Sequence, residues 1–598
     1  MENLAYMLRY VFALLVVLTA VLLLNAAVSE FRGGIKRNLR PTYGYFLITM
    51  TPANSPRHPV KSLPLFHTTM VGSGRNCDIR LKSGAVSRRH GLIYVYDGDW
   101  FIRPHKRNNF ISIEGIPITE PTPLRNHDRI TFGDTSLIFV DEKAETEAAG
   151  LPYTITTDSG LEELERVPAG SPTAFWLVNF FGLSFSALFI GLLKNELAYV
   201  RAPIALILFV FWFIFNLYYL VLPKLLIYVD KVILLAVTQL CYLGVVIQLR
   251  LALLTPAVLN RAIEVNDGDI VAAAMRLISP QMLSLAAGLI VLPIVTLIVA
   301  KTRFLEIMFP VCVVLTPLLL VVTLIFGRGD TVHGASLWIK VGGMSLQLTE
   351  FVKITYLVVL AQFFKNRPQL RTQLAFAVWA GMVFLLIMLL PDLGSIMILL
   401  PVTLAVFLVM TSEFLTTLTI LGGTSVLAVF AYTTFPHVRR RLAGWTTLWE
   451  EVNDSNRQIV YGLQAMARGG LLGRGLGNGS PEGIPVVASD MVFTIVCEEM
   501  GLLIGLCIVL FFIVIWLRGA RTMPLVKDGF SSSMILAVCS LFFVEAAVVI
   551  AGCTGLIPLT GVTLPFISQG GSSLLAKMIL IGILLGLMSR RNELVVAR

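Results

Sequence analysis

The chain has 598 residues, of which 56% are apolar and only 14% carry a charge. Soluble domains are about one quarter charged, so this composition excludes an ordinary soluble protein and indicates a polytopic membrane protein. The net charge of +10 is the excess that cytoplasmic loops of membrane proteins collect, and we infer no nucleic-acid partner from it. The seven cysteines stand singly, without CxxC or Cys/His spacing, which argues against a disulfide framework and a zinc site.

The first apolar stretch, residues 6–27, is long enough to span a bilayer at ~1.5 Å per residue. A cleaved signal peptide is the alternative interpretation. Four basic residues follow the stretch, namely Arg32, Lys36, Arg37 and Arg40. Because basic residues beside a span stay cytoplasmic, we favour a transmembrane anchor over residues 1–40 with its N-terminus outside.

Residues 41–142 differ in character, since they are polar and carry short alternating strands. The predicted strands are 91–96, 100–102, 129–132 and 136–140, and turn residues such as Asp97-Gly98-Asp99 separate them. Several short strands at this spacing predict an all-β sandwich of roughly 100 residues.

Two motifs mark this segment, Gly72-Ser73-Gly74-Arg75-Asn76-Cys77-Asp78-Ile79-Arg80-Leu81 and Val86-Ser87-Arg88-Arg89-His90. With Phe132-Gly133 near its end, almost the whole segment resembles the forkhead-associated (FHA) domain family. The resemblance implies a cytoplasmic domain that binds a phosphothreonine protein, and therefore a Ser/Thr kinase as the upstream signal.

The phosphopeptide contacts that this resemblance implies are Arg75, Ser87, Arg88, Asn108 and Asn109. Arg75 and Ser87 match the family's phosphate contacts, and Arg88 lies at the next loop position. A guanidinium suits a dianionic phosphate because the phosphate accepts charge-assisted hydrogen bonds. Asn108 and Asn109 align with the stretch in which Asn109 would hold the peptide backbone.

This chain departs from the FHA pattern directly after those asparagines. Phe110 and Ile111 stand where the family has glycine and threonine, which leaves the peptide selectivity open. An FHA sandwich that makes plain protein contacts without reading phosphate is the alternative interpretation. His90 is expected to brace the loop rather than to touch the ligand.

Residues 143–171 are acidic and poor in apolar residues, which indicates a tether. Apolar runs then alternate with short polar breaks. Together with the anchor they predict about thirteen spans: 173–194, 201–222, 230–252, 281–300, 304–326, 349–364, 373–390, 394–411, 415–434, 493–517, 533–553 and 574–589. We divide them into two extra spans within 172–227 and a core of ten spans within 228–598.

The basic residues give these spans an orientation. If residues 41–170 lie inside, the basic breaks at 301–303, 365–367, 518–527 and 590–591 also fall inside, as the positive-inside rule expects. The long break at 435–492 then falls outside. It nevertheless holds six arginines between Arg439 and Arg474, and we attribute this outer excess to an anionic ligand.

Four segments on the predicted outer side carry a second resemblance. They are Gly334 to Ile339 with Leu346 to Lys353, Pro391 to Ser395, Arg441 to Gly501, and Pro558 to Ser573. Together, over residues 228–592, they resemble the SEDS family (shape, elongation, division and sporulation) of the RodA, FtsW and SpoVE type. The departures are Leu337, Leu348-Thr349, Gln569 and the neighbours of Asp490, Ser489 and Met491-Val492.

The resemblance implies a peptidoglycan glycosyltransferase that polymerises lipid II at the outer face of the cytoplasmic membrane. It also implies a class B penicillin-binding protein as the partner that cross-links the strands. The family's essential aspartate corresponds to Asp490, in the stretch Ser489-Asp490-Met491-Val492-Phe493. The alternative for Asp490 is a cap on the helix that follows it.

The implied reaction needs a general base and positive side chains beside the leaving group. A carboxylate within hydrogen-bond reach of the attacking sugar hydroxyl can act as general base, and Asp490 takes that role. The diphosphate leaving group needs positive partners, for which Arg441, Arg457, Arg468 and Arg474 are the candidates. The spacing shows no paired-carboxylate metal site, and a divalent cation, Mg²⁺ or Mn²⁺, is retained only as an additional counter-charge.

The substrate-binding residues that we predict are Glu350, Lys353, Arg441, Gln458, Arg474 and Ser572. Glu350 and Lys353 share a helix face, and an internal ion pair is their alternative role. For the arginines the alternative is contact with lipid headgroups. Asp392 is expected to cap the next helix, and Glu498-Glu499 to organise a loop contact or the cavity.

Two other functions remain open at this point. One is a lipid II flippase on the same scaffold, and the other is an inactive scaffold that recruits phosphorylated division proteins. The retained Asp490 argues against the scaffold, since a scaffold has no need of that carboxylate. The sequence does not distinguish elongation, division and sporulation.

Overall fold

A computed structural model describes residues 2–590 except 37–40, 49–60, 67, 74–76, 78, 82, 84, 89, 97–98, 106–108, 142–171, 194–196, 227, 267–268, 328–336, 342–343, 366–367, 451, 454–455, 524–525 and 527. The chain forms two compact units. One comprises residues 1–27 with 170–590, and the other comprises residues 28–169 with 591–598. The predicted tether, 143–171, lies outside the described residues.

The smaller unit is a sandwich of two β-sheets. Its strands are β1 (Pro41–Ile48), β2 (Lys61–Phe66), β3 (Thr68–Gly72), β4 (Ile79–Arg80), β5 (Gly91–Tyr96), β6 (Asp99–Pro104), β7 (Ile111–Ile113), β8 (Ile116–Ile118), β9 (Thr122–Pro123), β10 (Arg129–Phe132) and β11 (Thr135–Asp141). One sheet has the order β2-β1-β11-β10-β7-β8 and the other β4-β3-β5-β6-β9. The four strands predicted from alternation are all present, so the predicted β-sandwich is confirmed.

The sandwich core consists of side chains that alternate inward along these strands. Ile93, Ile102, Ile130 and Phe139 are fully buried there, and Trp100 packs edge-on against Phe139 with ring centroids 5.5 Å apart. An aromatic pair of this kind contributes about 0.5–1.5 kcal/mol beyond its buried area. The core therefore fixes both sheets and leaves their connecting loops at the ends.

The larger unit is a bundle of helices. They are α1 (Glu2–Lys36), α2 (Pro172–Leu192), α3 (Ala198–Leu225), α4 (Lys231–Leu253), α5 (Pro256–Val265), α6 (Ile270–Lys301), α7 (Phe304–Ile307), α8 (Phe309–Phe326), α9 (Thr349–Phe363), α10 (Leu370–Leu389), α11 (Leu393–Thr411), α12 (Phe414–Thr434), α13 (Pro436–Thr446), α14 (Arg457–Gly469), α15 (Val492–Met500), α16 (Leu502–Thr522), α17 (Gly529–Cys553) and α18 (Gly571–Met588). A short hairpin, β12 (Trp338–Val341) and β13 (Met344–Gln347), precedes α9.

Among the described residues, 12 helices are long and apolar enough to cross a membrane. The one predicted span that is not among these helices is 349–364. It corresponds to α9, whose 15 residues extend only about 22 Å at ~1.5 Å per residue. A bilayer core is ~30 Å thick, so α9 is short for a full span. Its charged residues Glu350 and Lys353 are buried by neighbouring helices instead.

The two extra helices α2 and α3 cover α4. Gly182 of α2 lies against the Tyr242 ring, and Phe211 of α3 packs edge-on against the same ring at 5.0 Å. One turn further along α2, Phe12 of α1 contacts Phe185 with ring centroids 5.3 Å apart. All of the span segment of α4 is buried. Helices α1 to α3 therefore give the core an additional layer.

The predicted span 493–517 is wrong as a single helix, because the chain breaks at Gly501 into α15 and α16. Gly501 has a φ of 93°, and a Cβ there would lie 2.3 Å from the Leu471 carbonyl oxygen. The Leu502 N–H donates to the Gly470 carbonyl at 3.0 Å. The glycine-rich turn after α14 thus inserts between the two helices, and only glycine fits the crossing.

An ion pair and a backbone hydrogen bond, each made by an arginine, close one end of the bundle. Arg518 contacts Asp230, the cap of α4, at 2.6 Å. Arg590 donates to the Val299 carbonyl at 2.7 Å. The segment 436–491 is joined to the opposite end of α4, where the Arg250 guanidinium donates to the Gly479 carbonyl at 3.2 Å. The bundle therefore has two different ends. Arg518 and Arg590 lie at the end near Asp230, and the long polar segment lies at the end near Arg250.

Candidate functional site

Asp490 lies just before α15, and the backbone around it is held from several directions. The Cys553 thiol donates to the Asp490 carbonyl at 3.3 Å, and the Gln248 amide donates to the Ala488 carbonyl at 3.0 Å. The Ser568 hydroxyl donates to the Ser489 carbonyl. The cap position of α15 is Met491, so the alternative role of Asp490 as that helix cap is wrong.

Arg441 on α13 lies beside Asp490. Its guanidinium donates to the Thr560 carbonyl at 2.8 Å, and a Cβ built on Gly561 would lie 3.4 Å from Asp490 Oδ2 and 4.0 Å from Arg441 Nη2. Burial lowers the pKa of Arg441, while Asp392 and Asp490 raise it. Arg441 is therefore a counter-charge for two carboxylates, and the chain passes through Gly561 directly against them.

Asp392 is the cap of α11, as predicted. Its carboxylate accepts from the Ser395 N–H at 3.0 Å and from the Ser395 hydroxyl at 2.6 Å. Gly394 packs so closely on Val562 that a Cβ would lie 2.2 Å from it. The head of α11 therefore supports the same 560–562 segment that carries Gly561.

Two buried polar atoms near this site have no protein hydrogen-bond partner within the described chain. They are Nε2 of Gln458, at the start of α14, and Nε2 of His437, on α13. Helices α14 and α15 run parallel, since Gly462 lies against Met491 while Gly469 lies against Glu498. Because Gln458 is one turn before Gly462, this register places it level with the Asp490 segment.

Arg468 and Arg474 point to a different carboxylate. Arg468 pairs with Glu498 at 2.9 Å and Arg474 approaches the same carboxylate at 3.7 Å, although both side chains stay more than 40% exposed. Glu499 accepts from the Gly477 N–H at 3.0 Å and pairs with Arg250 at 2.6 Å. The expected loop contact of the two glutamates is confirmed. The Arg474 prediction is corrected in part, because its first partner is Glu498.

Glu350 and Lys353 belong to a closed, buried charge ring. Lys353 Nζ lies 2.8 Å from Glu350 and 2.9 Å from Glu545, and Lys577 Nζ lies 2.8 Å from the same two carboxylates. The ring joins α9, α17 and α18, and all four side chains are at most 4% exposed. The alternative role of Glu350 and Lys353, an internal ion pair, is therefore present in the structure, and their contact with substrate stays a prediction.

Ser572 also has a structural partner, since its hydroxyl accepts from the Gln347 N–H at 3.1 Å and so ties β13 to α18. Among the described residues, no group of three His, Cys, Asp or Glu side chains is placed to hold a metal ion. The positive charge that the structure puts between Asp392 and Asp490 is that of Arg441.

A cavity of about 460 Å³ opens beside the Asp490 segment. Residues from α4, α5, α6, the 481–489 segment and Gln569 line it, and most of its wall is apolar. Its polar lining includes Gln248, Gln281 and Ser489. A cleft of this size and polarity suits a ligand with a long apolar part.

The contact between Gly561 and Asp490 gives a matched test. Gly561 and Gly470 both have positive φ, 71° and 58°, but a Cβ at Gly470 meets nothing within 4 Å. We expect Gly561→Ala to lose far more activity than Gly470→Ala, because only the former places a methyl group in contact with the Asp490 carboxylate, in space that a substrate hydroxyl would need. Gly470→Ala controls for backbone strain, since Gly470, at φ 58° and ψ −151°, lies in a region that essentially only glycine adopts. The rates of the two purified variants in the assay for the activity proposed below, with melting temperatures as a check, measure this. Equal losses would show that Gly561 matters only for its backbone.

The described parts of the loops that are predicted to bind a phosphopeptide lie together at one end of the sandwich. The Ser73 N–H donates to the Ser87 carbonyl at 3.0 Å, and the Cys77 thiol donates to the Arg88 carbonyl at 2.9 Å. Ser87 and Arg88 are exposed. The predicted contacts Arg75 and Asn108 lie outside the described residues.

His90 braces this end, as predicted. Its Nδ1 accepts from the Ser87 N–H at 2.9 Å, and its Nε2 lies 2.8 Å from the Phe110 carbonyl. Asn109 is only 6% exposed and donates to the His90 carbonyl at 2.6 Å. Asn109 therefore has a bracing contact that the sequence did not indicate. Of the two departures from the FHA pattern, Ile111 is in the core and Phe110 is 60% exposed.

Comparison with known proteins agrees with this architecture. Residues 236–593 match the "Cell cycle protein" family of FtsW, RodA and SpoVE, and residues 69–133 match the FHA domain. Stage V sporulation protein E of Bacillus subtilis is 33% identical over 276 residues, which cover 45% of this chain and 75% of that protein. Peptidoglycan glycosyltransferase RodA of Mycobacterium tuberculosis is 32% identical over 271 residues, 42% of this chain and 57% of that protein.

The chain thus spans a little over half the length of that RodA relative. A solved structure described as a peptidoglycan synthase complex that coordinates polymerization and crosslinking has a chain 21% identical, covering 60% of this chain and 97% of its own, with a TM-score of 0.49. The fold and the site define a polytopic helical membrane protein with an FHA domain. It belongs to the FtsW/RodA/SpoVE family, the SEDS family of the sequence analysis.

Several residues of the site were not singled out from the sequence. His437 and Gly561 gave no local signal, since their importance depends on their distance from Arg441 and Asp490. Arg250, Glu545 and Lys577 are lone charges inside apolar runs, a signal that was present in the sequence. Charged residues within spans usually pair with one another. Pairing the lone charges of different spans would therefore have singled out these three residues.

Proposed function

We propose that this protein is a peptidoglycan glycosyltransferase that polymerises lipid II, with Asp490 as general base. The observation that carries the proposal is the placement of Asp490 beside Arg441, with its backbone held at Ala488, Ser489 and Asp490 itself. Family membership supports it. A carboxylate fixed in this way is suited to removing a proton from a positioned sugar hydroxyl.

In the proposed reaction the sugar hydroxyl of one substrate attacks the anomeric carbon of the other. The hydroxyl proton passes to Asp490 as the new C–O bond forms and the bond to the lipid diphosphate breaks, so a single displacement inverts the anomeric carbon. The diphosphate takes the bonding electrons, and Arg441 stabilises the charge that develops on it. The apolar cavity lined by α4 to α6 would hold the lipid chain.

The proposed orientation puts the FHA domain in the cytoplasm and the 435–492 segment outside. The basic end of the bundle, with Arg518, Arg590 and Lys301, supports it because positive residues accumulate on the cytoplasmic side. A class B penicillin-binding protein that cross-links the new strands is the proposed partner at the outer face.

We further propose that a phosphothreonine protein bound to the FHA domain localises or activates the enzyme. The juxtaposition of exposed Ser87 and Arg88 on a braced loop supports a phosphate site there. The kinase implied by this proposal is cytoplasmic in its action, since the FHA domain is placed on that side.

The FHA proposal predicts a separation of two activities. Arg75→Ala and Ser87→Ala should weaken phosphothreonine-peptide binding about 10-fold or more, because each removes a charge-assisted hydrogen bond worth ~1.5–3 kcal/mol. Intrinsic lipid II polymerisation should be unchanged. Calorimetry with phosphorylated and unphosphorylated peptides measures the first quantity. Unaltered peptide affinity in both variants would indicate an FHA domain that does not read phosphate.

One assay decides between the enzyme and the lipid II flippase. The purified protein, with candidate class B partners, is given labelled lipid II in detergent, where no membrane separates two sides. Glycan strands longer than the disaccharide support the polymerase. A protein that makes none there, but moves lipid II across vesicle membranes, would be a flippase; one that does neither would favour the scaffold.

A further inference from the structure

His437 presents a buried nitrogen without a protein partner in the described chain. Its Nε2 is shielded from solvent, and neither a side chain nor a backbone group of the described residues bonds to it. A buried polar atom left unbonded costs about 1–3 kcal/mol, so such atoms in folded proteins usually have a ligand or a water. The nitrogen is therefore a candidate ligand contact.

The neighbours of His437 indicate what kind of ligand would contact its nitrogen. It precedes Arg441 by four residues on α13, so both side chains share one helix face. Arg441 in turn faces Asp392 and Asp490. The Phe435 ring contacts the imidazole with centroids 5.6 Å apart and limits its freedom. His437 thus extends the Arg441 side of the Asp490 site by one helical turn.

We propose that His437 contacts the diphosphate of the lipid-linked substrate through Nε2, beside Arg441. This inference rests on the proposed polymerase function. A neutral imidazole donates one hydrogen bond, and an imidazolium adds a positive charge, so either form suits a phosphate oxygen. Gln458, whose buried Nε2 is likewise unbonded in the described chain, would bind a neutral part of the same substrate.

The charges around His437 determine its pH behaviour. Burial and then Arg441 lower its pKa, so the free protein holds a neutral imidazole at neutral pH. The other charged groups of α13 are Arg439 and Arg440, which are exposed, and Asp392 and Asp490 lie beyond Arg441. A bound diphosphate supplies negative charge at the imidazole, raises its pKa and causes proton uptake.

The sign of the linkage follows from that uptake. If a ligand binds the protonated imidazole more tightly than the neutral one, its affinity falls as pH rises. The fall is at most tenfold per pH unit for one linked proton. The fall should extend from below to above the ordinary histidine pKa of ~6.5, because it runs from the lowered pKa of the free protein to the raised pKa of the complex. A purely structural His437 would give no such slope.

The test uses as probe a prenyl diphospho-sugar, whose diphosphate diester does not itself titrate between pH 6.5 and 8.5, and the full chain in detergent without anionic lipid. We expect the wild-type affinity to fall between pH 6.5 and 8.5, and the His437→Gln protein to bind with little pH dependence. Arg440→Gln, which removes an exposed cation from the same helix, should lower affinity modestly and retain the wild-type slope. His437→Phe, with its melting temperature, separates loss of contact from loss of folding.

Three results would overturn the inference. A wild-type protein that polymerises lipid II while His437→Gln keeps the full pH slope removes His437 and leaves the polymerase function intact. Phosphatidylglycerol that displaces the probe as well as diphosphate does would assign the histidine to lipid headgroups. A wild-type protein that neither polymerises lipid II nor binds the probe would remove the polymerase proposal and the inference with it.

Discussion

Asp490→Asn is expected to lower lipid II polymerisation by about 10²- to 10⁴-fold, the contribution typical of a general base. The amide has the size of the carboxylate, so the hydrogen bonds to the 488–490 backbone and the packing of Gly561 should be undisturbed. It cannot accept the hydroxyl proton, and it no longer balances the charge of Arg441. The rate should therefore fall with little change in lipid II affinity or melting temperature.

Glu450→Gln is the matched control for this prediction, because it removes an exposed carboxylate from the same 435–492 segment. Its rate should equal that of the wild type. The measurement is the initial rate of strand formation from labelled lipid II, at saturating substrate, with the proposed class B partner present. An Asp490→Asn protein that retains the wild-type rate would remove the proposed mechanism.

The second large effect is expected at the buried charge ring of Glu350, Lys353, Glu545 and Lys577. Lys577→Met or Glu545→Gln alone should lower the free energy of unfolding by about 3–5 kcal/mol, because each leaves a buried charge without its partner. The double variant should be less destabilised than either single one, since it retains the neutral Glu350–Lys353 pair at 2.8 Å. Unfolding in detergent mixtures measures these differences.

The exposed Lys301→Met variant serves as a control for charge loss as such, and its stability should match the wild type. If the two single effects simply add in the double variant, the residues do not form a coupled ring. A Glu350→Gln protein with unchanged stability and a raised KM for lipid II would favour substrate binding over a structural ion pair as the role of that glutamate.

The sequence predicted the elements that depend on local pattern. Strand Arg129–Phe132 was predicted with its observed bounds, because alternation and turn residues are local properties. Nine of the ten predicted core spans overlap helices of the described chain that are long and apolar enough to cross a membrane, because hydropathy needs only composition. The break at Gly501 was missed because it depends on the approach of Leu471 and Gly473, which lie some thirty residues earlier along the chain.

The site was predictable in part for a similar reason. The family resemblance pointed to Asp490 and Arg441, and the structure places them close together. It did not show that Arg468 pairs with Glu498, or that Lys577 completes a ring with Glu350, since each pair joins distant helices. Which arginine meets which carboxylate is a property of packing, and one-dimensional spacing carries no information on it.

The measurement that tests the account most directly is the side of the membrane on which Asp490 works. Single cysteines are placed at exposed Glu450, in the Asp490 segment, and at exposed Ser87, in the FHA domain, with the partly exposed Cys77 replaced by serine. A membrane-impermeant maleimide should label Glu450→Cys in intact cells and Ser87→Cys only after permeabilisation. Labelling of both positions under the same condition would place the carboxylate on the FHA side and contradict extracellular glycan polymerisation.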